Sequence, residues 1–236
     1  MAIHHGHHFG MAAYYTLYAA ERGCIGLAMS HGAPRVAPFG GIDPFFGTSP
    51  IAYSVPTSRG FHITLDMSTS VSANAKVRHA REEETAIPDG WAMDMSGAPT
   101  TDPTSVHALR PIGGAKGYGL GLLVELCTGL LAGMGFAPEV DTPFDDYSKP
   151  MHISHLLVSF DINAFRNVSE FKADVSELTD RLKSVQAANG VDVVRLPGEQ
   201  SALIATERER NGIPIDQSTK EQLSEVGNRY GIDFPC

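Results

Sequence analysis

The chain has 236 residues, 42% of them hydrophobic and 19% charged, which fits one large domain or two small ones around a sizeable core. Its formal net charge of −9, without any run of Lys or Arg, argues against a nucleic-acid-binding surface. Three widely spaced cysteines without a Cys-x-x-Cys motif, together with an N-terminus that lacks the pattern of a signal peptide, are typical of a reduced, cytoplasmic protein.

The first thirty residues predict a strand, a helix and a second strand. The first strand ends near Ile3, residues 9–22 have a helix-forming composition, and the apolar run 24–30 is bounded by turn residues. This order and spacing suggest a βαβ unit in a sheet whose faces are covered by helices.

A hairpin and a second helix follow a loop rich in Gly and Pro. Residues 51–55 and 61–65 are predicted strands, joined by a turn that contains Pro56 and Gly60. A helix is expected over residues 71–84, and the Ser and Thr side chains just before it are expected to cap its N-terminus.

Residues 86–120 form a long stretch of unusual composition, which holds the only tryptophan, Trp91, and many Gly and Pro residues. Pro fixes φ and Gly permits close backbone approach, so this backbone is strongly specified. Long, specified loops are more often functional than mere connectors, which favours a ligand-binding loop; an elaborate structural connector is the alternative.

An apolar segment over residues 118–137 is about as long as a membrane span. Glu125 lies at its centre, and an unpaired carboxylate is costly in lipid, so a buried core helix is the better interpretation. Residues 141–150 are acidic and irregular.

The rest of the chain predicts two strands and three helices, namely strands over 153–160 and 191–196 and helices over 169–187, 197–210 and 218–230. The first of these helices has one apolar stripe, formed by Phe171, Val175, Leu178, Leu182 and Val185.

Four of the first eight residues are histidines, at positions 4, 5, 7 and 8. They have no Cys or carboxylate partners at ligand spacing, so no metal site is expected. His8 is distinct because it lies at a strand-to-helix junction, where open α/β sheets place their ligands. A catalytic base and a structural histidine both remain open for it.

Two other places could bind an anion or a cofactor. Lys116 lies in GGAKGYG just before a helix, where backbone amides attract anions, although a solvated capping lysine is the plainer interpretation. Asp66, Met67 and Ser68 end a strand, and they could equally serve as a helix cap. The sequence has no GxGxxG after a strand and no P-loop, GxSxG or HExxH motif, so a standard Rossmann or P-loop fold is unsupported.

Seven motifs, in order and in spacing, resemble the malate/L-lactate dehydrogenase family of the second type, with closest likeness to its ureidoglycolate-dehydrogenase-like members. They are HHFG at 7–10, VAPFGG at 36–41, FFGTSPIA at 45–52, DMSTS at 66–70, AIPDGWAMD at 86–94, PTTDP at 99–103 and GGAKGYGL at 113–120. The resemblance covers residues 6–120 and continues to PGE at 197–199.

The resemblance implies an NAD(P)-dependent oxidoreductase that interconverts a 2-hydroxy acid and a 2-oxo acid, as a homodimer, on a family-specific α/β fold with a mixed β-sheet covered by helices. It implies that His8 is the acid/base, a role that suits an imidazole because its unperturbed pKa lies near neutrality. By the same motifs the residues that contact NAD or NADP are Asp66, Met67, Ser68, Lys116, Gly198, Glu199 and Gln200.

The implied domain is the whole chain, with a central cofactor-binding part at about 8–150 and residues 151–236 completing it. The chain departs from the family pattern at His7, at Ser30-His31 and at Ser49. Family members also carry about a hundred further residues before this point, enough for a small domain. An N-terminally truncated enzyme is therefore expected, and an inactive remnant that only binds cofactor or dimerises is the alternative.

Overall fold

A computed structural model describes residues 1–140 and 148–233. At its centre five strands form one sheet: β1 (Ala2–Gly6), β2 (Cys24–Ser30), β3 (Ile51–Val55), β4 (Ile63–Met67) and β8 (Ile153–Asp161). They are arranged in the order β1-β8-β2-β3-β4. Neighbouring strands in this sheet pair antiparallel, and β1 and β4 form its two edges. The expected α/β fold is confirmed, but the central sheet is antiparallel at every neighbouring pair of described strands rather than mixed.

The predicted βαβ unit needs a correction. Helix α1 (Ala12–Ala20) does connect β1 to β2, but β8 lies between these two strands and pairs antiparallel with both. β1 and β2 therefore run parallel without being neighbours. The inserted strand comes from a part of the chain more than a hundred residues away, which local spacing cannot reveal.

Close contact between α1 and the sheet depends on small residues. Ala12 on the helix packs with Ala28 on β2 and Ala52 on β3. A Cβ atom on Gly26 would lie 2.7 Å from the Cα and the carbonyl oxygen of Thr16, so only glycine allows the helix to approach this closely.

The hairpin and the second helix lie close to their predicted positions. The second hairpin strand, β4, begins two residues later than predicted. Helix α2 spans Asn74–Glu82, and its N-cap residue is Ala73, which makes no side-chain hydrogen bond, so the predicted Ser/Thr cap is wrong. The hydroxyls of Ser68 and Ser70 instead bond within their own segment, with Ser70 Oγ donating to the carbonyl oxygen of Ser72.

Within the stretch 86–120, which ends in a helix from Ala115 onward, residues 92–109 form a small sheet rather than an open loop. Its strands are β5 (Ala92–Met93), β6 (Pro99–Thr100) and β7 (Ala108–Leu109), in the order β6-β5-β7. Its core consists of six buried residues, Val36, Phe46, Val77, Ile87, Ala92 and Leu109, against which Trp91 and Tyr118 pack. Asp94 and Asp102 accept backbone N–H groups in the turns. This part of the stretch has a structural role, as in the second interpretation.

Helix α3 (Ala115–Glu125) continues into a π-helical turn at Leu126–Leu130. Glu125 is buried as expected, its Oε1 accepts the N–H of Ala137 at 2.6 Å, and burial raises the pKa of its carboxyl group. The expected buried core helix is only half correct, because a row of large apolar side chains is exposed. We call this row the leucine face: Leu120, Leu122, Leu123, Leu126, Leu130 and Leu131. No described helix has the length and apolar character needed to cross a membrane.

The C-terminal region contains helices α4 (Val168–Lys183), α5 (Glu199–Asn211) and α6 (Gln217–Tyr230). The predicted strand over 191–196 is wrong, since these residues form an irregular segment. The predicted stripe of α4 is also only partly buried: Val175 and Thr179 face inward, while Leu178 and Leu182 are exposed. The expected irregular stretch at 141–150 lies largely outside the described residues, as does Cys236.

Candidate active site

A cleft of about 520 Å³ opens where the β1–α1 loop meets the end of β2 and the start of α2. Its polar lining includes His8, Ser30, His31, Arg35, Asp66 and Arg78. Two of the predicted site residues, His8 and Asp66, are thus brought together, although they are far apart in sequence.

His8 is exposed at the cleft, and its ring is oriented by its own loop. The N–H of Gly10 donates to His8 Nδ1 at 3.1 Å. A nitrogen that accepts an N–H carries no proton, so the neutral ring carries its proton on Nε2. Gly10 has φ +80°, a conformation that favours glycine.

Asp66 projects from the end of β4 and caps a helix. Its Oδ2 accepts the N–H of Ala13, in the first turn of α1, at 2.8 Å. This satisfies one of the free N–H groups of the helix and places negative charge at its positive end. The capping alternative considered from the sequence is therefore observed, but for α1 rather than α2. Met67 pairs with Ile51 in the sheet and, like Ser68, does not line the cleft.

Lys116 lies outside this cleft, exposed in the first turn of α3. The segment that follows Asp66 lies beside the start of α3, because the N–H of Ile112 donates to the carbonyl oxygen of Thr69 at 2.9 Å. Gly114, the N-cap of α3, has φ +64°, and the N-terminus of the helix makes no side-chain capping hydrogen bond.

Gly198, Glu199 and Gln200 start α5 beside the edge strand β4 rather than in the cleft. Thr64 N–H donates to the carbonyl oxygen of Pro197 at 3.0 Å, and a Cβ on Gly198 would meet Thr64 at 3.0 Å. Glu199 pairs with Lys183 and accepts the N–H of Leu196 at 3.1 Å. The lysine holds the pKa of the Glu199 carboxyl below its usual range. Gln200 is exposed.

The cleft includes a buried histidine that the sequence identified only as a departure from the family pattern. His31 is 2% exposed, and its Nδ1 lies 3.1 Å from the backbone nitrogen of Ser154 and 3.3 Å from the carbonyl oxygen of the same residue. Each ring tautomer satisfies one of these two contacts, and in both the buried Nε2 has no hydrogen-bond partner among the described residues. Burial lowers the pKa of His31, so the ring is neutral near pH 7.

Two arginines were not identified from the sequence at all. Arg35 is half-buried and donates one N–H to the carbonyl oxygen of Pro34 at 3.0 Å. Arg78 lies on α2, where its Nε is 3.8 Å from Oε1 of Glu82. Nothing in their local sequence distinguishes them from surface arginines. Only the fold places both beside His8.

The other N-terminal histidines lie on β1 and its loop. His5 Nδ1 is 3.1 Å from Nδ1 of His152, within hydrogen-bonding distance. Among residues 1–140 and 148–233 there is no group of three or more His, Cys, Asp or Glu side chains that could hold a metal ion.

The cleft fits an organic cofactor and a small anion on three counts. Its volume lies within the range of about 300–1,000 Å³ that is usual for ligand sites. Its lining supplies cationic guanidinium groups for phosphate or carboxylate. It also includes a histidine whose buried ring nitrogen lacks a partner, as in a site where a ligand supplies one.

The comparisons with known proteins agree with the motifs. The model of the malate/L-lactate dehydrogenase family matches residues 1–224. The NAD(+)-dependent ureidoglycolate dehydrogenase of Escherichia coli O157:H7 is 36% identical over 208 residues, which are 88% of this chain and 60% of that protein. The malate/(S)-sulfolactate dehydrogenase of Methanothermus fervidus is 35% identical over 99% of this chain and 68% of its own length.

A solved structure gives the same assignment. The crystal structure of malate dehydrogenase from Entamoeba histolytica superimposes with a TM-score of 0.93 at 26% identity, covering all of this chain and 69% of that one. The chain thus spans between 60% and 69% of the length of these three proteins. On sequence and on fold, this chain belongs to the malate/L-lactate dehydrogenase family.

Proposed function

We propose that this chain is an NAD(P)-dependent oxidoreductase that interconverts a 2-hydroxy acid and a 2-oxo acid of the malate, lactate or ureidoglycolate type. The observation that carries the proposal is the cleft, where an exposed imidazole, two guanidinium groups and a buried histidine with an unpartnered ring nitrogen line one space. Such a set can bind a small carboxylate and exchange a proton with it.

His8 is the proposed acid/base, and its tautomer sets a condition on that role. With Nδ1 accepting the N–H of Gly10, the neutral ring offers Nε2–H to the cleft, which suits a donor to a carbonyl oxygen. To take a proton from a hydroxyl at Nε2, the ring must carry its own proton on Nδ1 and give up the Gly10 bond. Reduction of a 2-oxo acid takes its proton from the imidazolium, because a neutral ring that gave up its Nε2 proton would become an imidazolate. The imidazolium also carries a proton on Nδ1, so it too gives up the Gly10 bond. Oxidation needs the neutral ring with Nε2 unprotonated.

Arg35 and Arg78 are proposed to hold the carboxylate of the substrate. A guanidinium group matches a carboxylate with two parallel N–H donors, which fixes orientation as well as charge. Arg35 is the better placed of the two for strong binding, because it is half-buried and therefore less screened by solvent.

The cofactor is proposed to be NAD or NADP, which accepts or supplies the hydride when bound. By the family motifs, Asp66, Met67 and Ser68 line it, Lys116 contacts it, and Gly198, Glu199 and Gln200 approach from the C-terminal side. The exposure of Lys116 at the start of α3 supports an anion contact there, since helix N-termini attract anions. Asp66 retains Oδ1 for a ligand while Oδ2 caps α1.

The proposed organisation is one oxidoreductase domain over 1–236, in which about 8–150 binds the cofactor and 151–236 completes the structure. A cytoplasmic homodimer is proposed with it. The exposed leucine face supports an association surface, because soluble monomers rarely expose large contiguous apolar patches.

Turnover of the His8→Ala variant tests the proposal. The kcat for malate, lactate or ureidoglycolate, followed by NAD(P)H absorbance, should fall by about 10²–10⁴-fold, the usual contribution of one acid/base group. Cofactor affinity, measured by calorimetry, should stay nearly unchanged because the ring acts on substrate oxygen. The matched control is His4→Ala, an exposed histidine on β1 that does not line the cleft.

Two outcomes would contradict the proposal in different ways. Near-normal turnover in His8→Ala would make His8 structural. Cofactor binding without turnover by the unsubstituted chain, on every one of these acids, would instead favour the alternative, an inactive cofactor-binding or dimerisation module.

A further inference from the structure

We propose that His155 is the positioning residue that holds the catalytic loop, defined as Gly6–Gly10, so that His8 faces the cleft. The proposal rests on the proposed role of His8. His155 is 4% exposed and does not line the cleft. Its described hydrogen bonds go to Ser30 and to the backbone of His7, not to the ring of His8, so it would act on His8 through the backbone.

The hydrogen bonds of His155 reach the peptide group just before His8. Its Nε2 lies 3.0 Å from the carbonyl oxygen of His7, and a carbonyl can only accept, so Nε2 carries the proton. Its Nδ1 is then the acceptor and lies 2.9 Å from Ser30 Oγ, whose one proton also has the carbonyl oxygen of His31 within reach at 3.0 Å. The contact with His7 therefore sets the tautomer, and Ser30 contacts the nitrogen that remains free.

Phe9, the residue just after His8, packs against the face of the His155 ring. Phe9 stacks on His155 with centroids 4.4 Å apart and planes 9° from parallel, and on Tyr15 at 5.1 Å and 12°. Tyr15 Oη also donates to the carbonyl oxygen of Phe9 at 2.9 Å. The backbone on both sides of His8 is therefore fixed, and each anchor involves or adjoins His155.

Gly6 leaves the space that this arrangement needs. A Cβ atom there would lie 3.0 Å from His155 Nε2 and 3.2 Å from the carbonyl oxygen of Ile153. A larger residue at position 6 would displace either the ring of His155 or the start of β8. Either displacement would disturb the hydrogen bond between His155 and the carbonyl oxygen of His7.

The charge state of His155 suits a fixed support. Burial lowers its pKa, and His31 and His8 act in the same direction when they are protonated. A lowered pKa favours the neutral ring, and the neutral tautomer with its proton on Nε2 is the form that both of its hydrogen bonds need.

Amide exchange at Gly10 gives a readout that does not depend on activity, since this N–H donates to His8 Nδ1. In His155→Leu, protection of the Gly10 amide should fall about fivefold, as expected for one lost hydrogen bond. The kcat should fall about tenfold to a hundredfold with KM little changed, because a small displacement of a reacting group is costly. His155→Gln, whose amide can donate to the His7 carbonyl, should recover most of both.

The matched control is His62→Leu, a partly buried histidine on the β3–β4 hairpin that accepts the N–H of Thr57. It should change neither Gly10 exchange nor kcat. If His155→Leu does not fold, Ser30→Ala and Tyr15→Phe each remove one anchor and should give smaller changes in the same direction.

The results separate the two proposals. If His155→Leu loses activity but keeps its Gly10 amide protection, the positioning role is overturned. It is also overturned if His155→Leu has both a normal kcat and normal Gly10 protection. A normal kcat in His8→Ala would refute the acid/base role alone, because Gly10 exchange in His155→Leu, which keeps the His8 acceptor, would still report whether His155 holds the loop.

Discussion

Asp66 and Glu199 each have a structural contact at a position where the family motif implies a cofactor contact. Asp66 caps α1 through Oδ2, and Glu199 pairs with Lys183 at the start of α5. A carboxylate has two oxygens and about four acceptor sites, so one structural hydrogen bond leaves capacity for a ligand. Lys116 differs, because no hydrogen bond or ion pair holds it within residues 1–140 and 148–233.

We therefore expect Lys116→Ala to weaken cofactor binding without slowing the chemical step. The Kd for NADH or NADPH should rise about tenfold, the typical value of one charge-assisted hydrogen bond, with a smaller change in kcat at saturating cofactor. Isothermal titration with both cofactors measures the effect. Lys220→Ala, on α6, is the control; equal affinities in the two variants would show that Lys116 is a solvated capping residue.

The two buried histidines make stability depend on pH. Burial lowers the pKa of both His31 and His155 below the ordinary value of about 6.5, so the unfolded chain binds protons first as the pH falls. The free energy of unfolding should therefore decrease below about pH 6.5, until the pH passes the folded-state pKa values.

Urea unfolding over a pH series measures this dependence. His31→Gln and His155→Gln should each have a shallower decrease than the unsubstituted chain, because each removes one titrating group. His4→Gln, at an exposed position, should keep the full decrease. Identical pH profiles in all four proteins would contradict the assignment.

At the scale of elements, the approach of α1 to the sheet decides where the cleft opens. The helix begins two residues after Gly10, its first turn is capped by Asp66, and its buried side contacts β2 and β3 through alanines. Thr16 adds a buried hydrogen bond to Ser54 on β3, with the two hydroxyl oxygens 2.7 Å apart. Anything that moves α1 should therefore also move the His8 loop.

Gly26→Ala tests this coupling. The new Cβ would lie 2.7 Å from backbone atoms of Thr16, which cannot rotate away, so we expect a loss of about 1–3 kcal/mol in the free energy of unfolding. Denaturation in urea measures the loss. Gly60→Ala is the matched control, because a Cβ there would have no atom within 4 Å and the φ of Gly60 is not positive. A loss no larger than in the control would mean that α1 adjusts freely.

At the scale of the whole molecule, much apolar surface is left without a partner in the part of the chain that the structure describes. The leucine face is exposed along α3 and its π-helical turn, and neither α5 nor α6 contains a buried residue. Helices of this kind gain most of their stability from packing, so a partner surface is expected for them.

A homodimer is the expected assembly, since closed two-fold dimers are the commonest oligomers. Light scattering at micromolar concentration should give twice the chain mass of 25.3 kDa. Leu126→Glu combined with Leu130→Glu should reduce association if the leucine face forms the dimer interface. Leu203→Glu tests in the same way whether the exposed surface of α5 takes part. A monodisperse species of 25.3 kDa would refute the dimer.

The sequence by itself determined the family, the fold class and most elements. β2 and β3 were predicted with the bounds that the structure has, because short apolar runs between turn residues are local signals. The family rests on motifs of fixed backbone geometry, whose Gly, Pro and Asp residues can be identified directly from the sequence. Helix ends were predicted less well, since caps such as Ala73 and Asp66 depend on which chain segments meet.

Only the tertiary structure decided what surrounds His8. β8 enters between β1 and β2 and brings His155 to the carbonyl of His7, 148 residues earlier in the chain. The same packing buries His31 and turns two ordinary-looking arginines toward the cleft. These contacts join distant residues whose local sequence carries no signal of the pairing, so no periodicity or spacing rule could have predicted them.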